Sequence, residues 1–297
     1  MVPSESPDFV CFKDGRPFLG VEVTKLYRDE SHARLKEIGG YALNLIEGGN
    51  YRHKADKKRI RVEQIQYQGA DGSESRNIMG IFDEGISYKD AVAILMEQII
   101  DKINKVHTYL NKCQFVDLII HDASSMFSFE DYKIIGSQLS AYLDKKVLFS
   151  SEFREIYLLT LKRDKTPVKI PIKLNLFAED IFILEKLIHS DKLLIEQAQA
   201  FALLFSCLKE CGYGDLEVET ESEVLSIIVG SHRYTYTKKG KTISECSTEI
   251  QFPDKNKTIN DYSRNASDEI VRQTQALLLK RKKMSCHLDL FAPCETF

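Results

Sequence analysis

The chain has 297 residues, of which 43% are hydrophobic and 29% are charged. This composition is typical of a globular protein and excludes collagen-like, mucin-like and wholly disordered chains. The 41 basic and 44 acidic residues give a formal net charge of −3, which excludes a protein that holds nucleic acid through a positively charged surface as a whole.

The first predicted elements are two short strands, residues 8–12 and 18–24, on either side of the dipeptide Asp14-Gly15. An Asp-Gly pair between apolar runs predicts a tight β-hairpin. A helix over about residues 30–47 follows and is expected to end at Gly48-Gly49, because glycine commonly terminates helices. A basic run, residues 51–61, then leads into a predicted strand, residues 60–67, and a loop, residues 69–85.

Helices and strands alternate over the next part of the chain. Apolar residues recur with a helical period over residues 88–113, and a strand with a buried character follows at residues 115–120. A further helix near residues 129–143 precedes a strand at residues 154–159. Strands separated by helices predict an α/β domain over residues 1–165, with a mixed central sheet flanked by helices.

The pattern changes near residue 165, where we place a domain boundary. Residues 166–297 are expected to form an α+β C-terminal domain of unknown role. Its first predicted element is a helix over residues 178–211, followed by β-like runs at residues 216–229 and 233–237. A polar stretch, residues 254–265, precedes a last helix over residues 267–283.

Two carboxylates of the predicted hairpin are spaced to share one divalent cation. Glu22 and Thr24 lie two residues apart on a strand and leave the same face, whereas Val21 and Val23 are expected to point into the core. Asp8 opens the neighbouring strand, where the turn can bring it opposite Glu22. Mg²⁺ or Mn²⁺ prefers carboxylate and water ligands and can activate a water toward a phosphodiester. The hairpin therefore favours phosphodiester hydrolysis.

At these residues the sequence resembles the PD-(D/E)xK nuclease superfamily, which has the restriction-endonuclease-like fold. The matching text is Pro7-Asp8, thirteen intervening residues, and Glu22-Val23-Thr24. The resemblance implies that Asp8 and Glu22 bind Mg²⁺ or Mn²⁺ and that DNA or RNA enters a cleft beside the sheet. Thr24 stands where the family has a lysine, and in this hypothesis it positions the attacking water.

The resemblance also implies further site residues. Lys25 is adjacent to Thr24 and is considered as the catalytic lysine, although it is expected on the opposite face of the strand. The family's next helix often carries a polar residue and a tyrosine four apart that face the site, and Glu37 and Tyr41 have that spacing. Many nucleases of this superfamily dimerise to cut two strands, so a homodimer is considered, although no residue fixes an oligomeric state.

Two departures from the family keep other functions open. The family fold starts with a helix and a strand before the Pro-Asp strand, and only six residues precede Pro7, so that part is expected to be missing or rearranged. Together with Thr24, this departure favours a catalytically inactive nuclease-like module that binds nucleic acid or a protein partner. A third interpretation is an unrelated α/β protein in which Asp8 and Glu22 occupy an ordinary solvated strand face.

Basic runs are the candidates for contacts with the substrate backbone. Nonspecific affinity for nucleic acid comes mainly from lysine and arginine at phosphates, and the densest run contains Arg52, Lys54, Lys57, Lys58, Arg59 and Arg61. A solvated loop is the alternative. The same alternatives apply to residues 280–283 and to a second basic cluster, which contains Arg233, Lys238, Lys239 and Lys241. Tyr234 and Tyr236 lie within that cluster, where they could stack on bases or belong to a half-exposed strand.

The cysteines and histidines offer weaker candidates. Cys207, Cys211, Cys286, His287 and Cys294 could form a zinc site, or the thiols could be buried as small hydrophobic groups. His121-Asp122 follows a strand, where α/β sheets often carry functional groups, or forms an ordinary turn. We expect a cytoplasmic protein, because the seven cysteines are scattered and the first residues do not have the pattern of a signal peptide. We expect no membrane contact, because the sequence has no apolar stretch of about 20 residues.

Overall fold

The computed structural model describes residues 1–47, 53–56, 60–67, 76–82, 85–128, 139–162, 164–190, 197–221, 224–237, 239–245 and 268–284. Its strands are β1 (Val2–Pro3), β2 (Phe9–Lys13), β3 (Arg16–Leu26), β4 (Arg61–Tyr67), β5 (Arg76–Phe82), β6 (Phe115–Asp122), β7 (Ile156–Leu161), β8 (Pro167–Pro171), β9 (Leu216–Glu221), β10 (Val224–Val229), β11 (His232–Thr237) and β12 (Gly240–Glu245). Its helices are α1 (Glu30–Glu37), α2 (Tyr41–Glu47), α3 (Tyr88–Ile103), α4 (Val106–Leu110), α5 (Lys145–Ser150), α6 (Ile172–Ser190), α7 (Gln197–Glu210) and α8 (Asp268–Arg281).

The larger sheet is mixed, as the alternation of elements predicted. Its six strands follow the order β1-β2-β3-β6-β7-β8. The pairs β3/β6 and β6/β7 are parallel, and the other pairs are antiparallel. Strand β1 precedes the Pro-Asp segment and pairs with β2 through Val2 and Pro3, so a strand is present there in shortened form, while the described residues before Asp8 contain no helix.

The hairpin at the start of the chain forms at the predicted turn. Lys13 pairs with Arg16, which leaves Asp14 and Gly15 as the two turn residues. Their φ angles are 51° and 75°, and two residues with positive φ give the turn whose twist matches that of the flanking strands. The helix predicted after the hairpin is divided into α1 and α2, because Gly40 takes a left-handed conformation with φ 72°.

Helix α3 covers one face of the six-stranded sheet. Ser87 caps its N-terminus by accepting a hydrogen bond from the Asp90 N–H. The apolar positions of α3 pack against the middle strands to form the first hydrophobic core, which includes Ala91, Val92, Leu95, Ile99, Leu118, Ile120 and Leu158. The predicted helix over residues 88–113 is therefore confirmed for most of its length, with a break at Asn104-Lys105 between α3 and α4.

The second half of the chain builds a separate core. Strand β8 still belongs to the larger sheet, so that sheet extends past the predicted boundary at residue 165 to Pro171. Helix α6 follows directly, and with α7 and α8 it packs on an antiparallel sheet of order β12-β11-β10-β9. The predicted helix over residues 178–211 is therefore two helices. In the described part of the chain, no helix has the length and apolarity needed to cross a membrane.

Candidate active site

Asp8 and Glu22 lie on adjacent strands at the start of the larger sheet. Phe9 pairs with Val21 across the β2–β3 hairpin, so Asp8, one residue earlier, lies opposite Glu22. The Asp8 Oδ2 atom accepts a hydrogen bond of 2.7 Å from the Val23 N–H. This contact holds the Asp8 carboxylate at Val23 of β3, one residue after Glu22.

The exposure of β3 differs from the sequence-based expectation at Val23 and Glu22, whereas Val21 is buried as expected. Val23 was expected in the core, but 36% of it is exposed, whereas only 7% of Glu22 is exposed. Glu22 and Thr24 pair with Leu118 and Ile120 of β6, which lie on the sheet face beneath α3. The expectation was wrong because α3 covers the Glu22 face of β3, and residue type along a strand does not by itself identify the face that a helix covers.

Helix α3 contributes two polar side chains to this face. The Lys102 Nζ atom donates to Glu22 Oε1 at 2.6 Å, and Gln98 Nε2 donates to Thr24 Oγ1 at 3.0 Å. Two residues along a strand span about 6.6 Å, and four residues along a helix span about 6 Å. This match of spacings allows two neighbouring contacts between α3 and β3.

Tyr109 of α4 completes the surroundings of Glu22. Its hydroxyl donates to Glu22 Oε1 at 3.1 Å. Burial, followed by the negative charges of Glu22 and Asp8, raises the pKa of Tyr109 to about 12. The phenol therefore remains a hydrogen-bond donor at neutral pH, and both carboxylates act on it electrostatically.

The positions carried over from the family helix do not reach these carboxylates. Lys25 Nζ donates to Glu37 Oε1 at 2.7 Å, on the opposite face of β3 as expected for Lys25. The Tyr41 hydroxyl donates to the buried Asp56 at 2.6 Å. Glu37 and Tyr41 therefore serve other contacts, and the polar pair four residues apart that faces Glu22 and Thr24 is formed by Gln98 and Lys102.

Sequence reasoning missed three residues of the site: Gln98, Lys102 and Tyr109. A signal for two of them was present in the periodicity of α3. Positions 91, 95, 98 and 102 fall on one helical face, so Gln98 and Lys102 continue the face that begins with the buried Ala91 and Leu95. Polar residues that continue a buried face require polar partners.

The predicted basic run is only partly described. Arg52, Lys57, Lys58 and Arg59 lie outside the described residues, Lys54 is exposed, and Arg61 begins β4. Within the run, Asp56 is fully buried and accepts hydrogen bonds from Arg34, Ser31 and Tyr41. The Arg34 guanidinium, together with the two hydroxyls, holds the pKa of Asp56 well below its ordinary value. This part of the run therefore anchors α1 and α2.

Other predicted chemistry has structural explanations. Burial raises the pKa of Cys207 to about 12 and of Cys211 to about 11, while Cys286, His287 and Cys294 lie outside the described residues. Asp122 is buried and accepts hydrogen bonds from the Met126 and Phe127 N–H groups, and His121 is half-buried, which supports the turn interpretation.

The second basic cluster is engaged within the protein. Arg233 pairs with Glu219 at 3.1 Å and Lys241 pairs with Glu185 at 2.7 Å. Tyr234 is buried, Lys239 is exposed and Lys238 lies outside the described residues. These contacts favour a half-exposed strand over a surface for stacking bases. Among residues 280–283, Arg281 pairs with the buried Asp180.

Comparison of the chain with protein-family models, with curated proteins and with solved structures found no match. The resemblance to the PD-(D/E)xK superfamily therefore depends on the sequence motif at Pro7-Asp8 and Glu22-Val23-Thr24 alone. Glu22 is the buried carboxylate of that motif, and it is held by Lys102 and Tyr109.

Proposed function

We propose that this protein is a metal-dependent nuclease of restriction-endonuclease-like type that hydrolyses phosphodiester bonds of DNA or RNA. The observation that carries the proposal is the 2.6 Å contact between Lys102 Nζ and Glu22 Oε1. The motif lacks a lysine at Thr24, and helix α3 brings Lys102 to Glu22, from which it is 80 residues away in sequence. A carboxylate pair with an adjacent ammonium group suits the chemistry of phosphodiester cleavage, which requires both a cation site and a positive charge.

The donor set fits a hard divalent cation. One oxygen of each carboxylate is held by the protein, Asp8 Oδ2 by the Val23 N–H and Glu22 Oε1 by Lys102 and Tyr109. The other oxygens, Asp8 Oδ1 and Glu22 Oε2, have no hydrogen-bond partner among the described residues. Across the described ranges, no group of three His, Cys, Asp or Glu side chains is placed to hold a metal, so water would complete the shell, as Mg²⁺ commonly requires.

Each residue has a role in this proposal. Bound Mg²⁺ or Mn²⁺ would supply Lewis-acid stabilisation of the phosphate charge and lower the pKa of a water. Asp8 and Glu22 hold the cation, and Lys102 places an ammonium next to Glu22, where it can stabilise negative charge on the substrate. Thr24, held by Gln98 at 3.0 Å, orients the attacking water with its hydroxyl.

The chain around Lys102 also offers charges for the substrate backbone. Lys105 and Lys112 are exposed and lie on either side of Tyr109 in sequence, within the segment that contacts Glu22. Lysines at this position would hold phosphates close to the carboxylates. The contribution of the basic run at residues 52–61 to substrate binding stays a prediction, as does a homodimer.

A cleavage assay tests the proposal with matched variants on the two faces of β3. Single- and double-stranded DNA and RNA are incubated with Mg²⁺ or Mn²⁺, with and without a chelator. We expect Glu22→Gln and Lys102→Met to lower the rate about a hundredfold or more. Glu37→Gln and Lys25→Met remove an exposed ion pair of similar length on the opposite face and should change the rate less than about twofold. Equal rates in all four variants would exclude the proposal.

The inactive nuclease-like module is a second candidate, favoured by the burial of Glu22 and by Thr24 at the position where the family has a lysine. Calorimetry with Mn²⁺ separates the two functions, because a module without catalysis has no need for a cation between Asp8 and Glu22. Binding of Mn²⁺ by wild type that is abolished by Asp8→Asn supports the nuclease. Nucleic-acid binding without Mn²⁺ binding or cleavage supports the module.

A further inference from the structure

A cavity of about 200 Å³ lies in the second half of the protein, between helices α6 and α7 and the strands β10 and β11. Its wall includes three aromatic side chains, one aliphatic side chain and one carboxylate, contributed by Phe201, Tyr234, Tyr236, Leu204 and Glu185. Four of these, the apolar and aromatic residues, belong to or pack against the second hydrophobic core. The cavity is therefore distinct from the site around Glu22, whose neighbours belong to the first core.

Glu185 gives the cavity a carboxylate that is paired with Lys241 and has an available acceptor. Its Oε1 atom accepts a hydrogen bond from the Tyr234 hydroxyl and lies 2.7 Å from the Lys241 Nζ atom. Its Oε2 atom has no hydrogen-bond partner among the residues that the structure describes. One oxygen is thus fixed by the protein, and the other can accept a hydrogen bond from a ligand.

The contacts of Lys241 indicate what kind of ligand head group fits. Its ammonium lies 5.4 Å from the centre of the Tyr236 ring while it pairs with Glu185. A carboxylate combined with aromatic faces is the arrangement that recognises organic cations. The Lys241 side chain is 36% exposed, so its ammonium can leave for solvent at little cost when another cation arrives.

We propose that this cavity binds a small organic cation, a primary ammonium on an apolar body about the size of one aromatic ring. A cavity of about 150 Å³ accommodates benzene, so the volume here suffices for one ring with a short linker to the ammonium. The ammonium replaces that of Lys241 between Glu185 and Tyr236. The apolar body packs against Phe201 and Leu204.

Isothermal titration calorimetry with phenethylamine tests the proposal, with phenethyl alcohol as the neutral probe of equal size. Wild type should bind the amine about tenfold or more tightly than the alcohol, because a hydrogen bond to a charged partner is stronger than a neutral one. Glu185→Gln should remove this preference and leave affinity for the alcohol unchanged. Lys241→Ala should raise the affinity for the amine several-fold, because it removes the internal competitor.

Glu210→Gln is the control, because Glu210 is an exposed carboxylate of α7 outside the cavity, and its affinity for the amine should equal that of wild type. Circular dichroism and thermal unfolding establish that each variant is folded. Equal affinity of wild type for amine and alcohol, or no amine binding by either wild type or Lys241→Ala, would overturn the proposal. The titrations contain neither metal nor nucleic acid, so a negative result in them does not bear on the proposed nuclease activity.

Discussion

The Nε2 atom of His232 lies 2.8 Å from Glu155 Oε2 in the protein interior, where His232 is 1% exposed and Glu155 is fully buried. His232 begins β11 of the four-stranded sheet, and Glu155 precedes β7 of the six-stranded sheet. Glu155 also accepts hydrogen bonds from the N–H groups of Lys173 and Leu174 in the first turn of α6. One carboxylate therefore joins the two sheets and caps the helix between them.

We expect Glu155→Ala to lower the free energy of unfolding by about 3 kcal/mol or more, because it leaves several buried donors without an acceptor. Urea denaturation followed by circular dichroism measures the change. Glu152→Ala removes an exposed carboxylate three residues earlier and should change stability by less than about 0.5 kcal/mol. A similar small change in both variants would contradict the structural role of Glu155.

Gly20 determines how closely the Pro-Asp segment approaches β3. A Cβ atom at Gly20 would lie 2.6 Å from Pro7 Cγ and 3.2 Å from Cys113 Sγ. We expect Gly20→Ala to displace Pro7 and the adjacent Asp8, with a loss of about 1–3 kcal/mol in stability and a reduced affinity for Mn²⁺ in calorimetry. Gly39→Ala is the control, since a Cβ atom there meets nothing within 4 Å. Normal Mn²⁺ binding by a folded Gly20→Ala protein would contradict this prediction.

Asp56 should make stability depend on acidity. The pKa of Asp56 is depressed in the folded protein by Arg34 and two hydroxyls, so the folded state favours the charged form more than the unfolded state does. Its contribution is complete above the unfolded pKa of about 4 and decreases as the pH falls below that value. The stability difference between wild type and Asp56→Asn, from urea denaturation at pH 7 down to pH 3, should therefore shrink on acidification. A constant difference would refute the assignment.

Lys173 should also make stability rise with pH, in this case in the alkaline range and because burial disfavours its charged form. Burial lowers the pKa of Lys173 to about 8, whereas an unfolded lysine has a pKa of about 10.4. Between these values the unfolded state binds a proton that the folded state lacks, so the stability of wild type rises with pH relative to Lys173→Met, by about 2 kcal/mol. Urea denaturation at pH 7.5 and pH 10 measures this difference, and a decrease would contradict the burial of the charge.

Tyr109 is expected to act as a positioning residue for Glu22. We expect Tyr109→Phe to lower the rate of nucleic-acid cleavage about tenfold through loss of the hydrogen bond to Glu22. The pKa of Tyr109 is raised to about 12, so the phenol does not ionise below pH 10. The pH profile of cleavage by Tyr109→Phe should therefore have the same shape as that of wild type. Tyr142→Phe, at a tyrosine that is 52% exposed, is the control and should leave the rate unchanged. A Tyr109→Phe rate equal to that of the control would contradict the role.

Much of the fold was predictable because it depends on local sequence. The Asp14-Gly15 turn requires two residues with positive φ, and an Asp-Gly pair supplies them at low cost. The apolar period of α3 specifies a helix with one buried face. The mixed sheet followed from the alternation of strands and helices. These features need no knowledge of which distant segments meet.

The candidate site was predictable only on its hairpin. Asp8 and Glu22 meet through a two-residue turn, so their proximity is local. Lys102 and Glu22 are 80 residues apart in sequence. Their contact depends on the position of α3 along β3, which is set by the packing of the two elements. Glu37 and Tyr41 had the expected spacing for one helix, but the left-handed conformation of Gly40 divides that helix, so that Glu37 ends α1 and Tyr41 begins α2.

The sequence by itself determined the hairpin, the helical face of α3 and the balance of acidic and basic residues. The tertiary structure decided that Glu22 faces inward and that Lys102 is its partner. It also decided that Glu185 closes an aromatic cavity in the second core. The physical reason is that periodicity encodes burial along one element, whereas the partner of a buried charge is set by packing between elements that are distant in the chain.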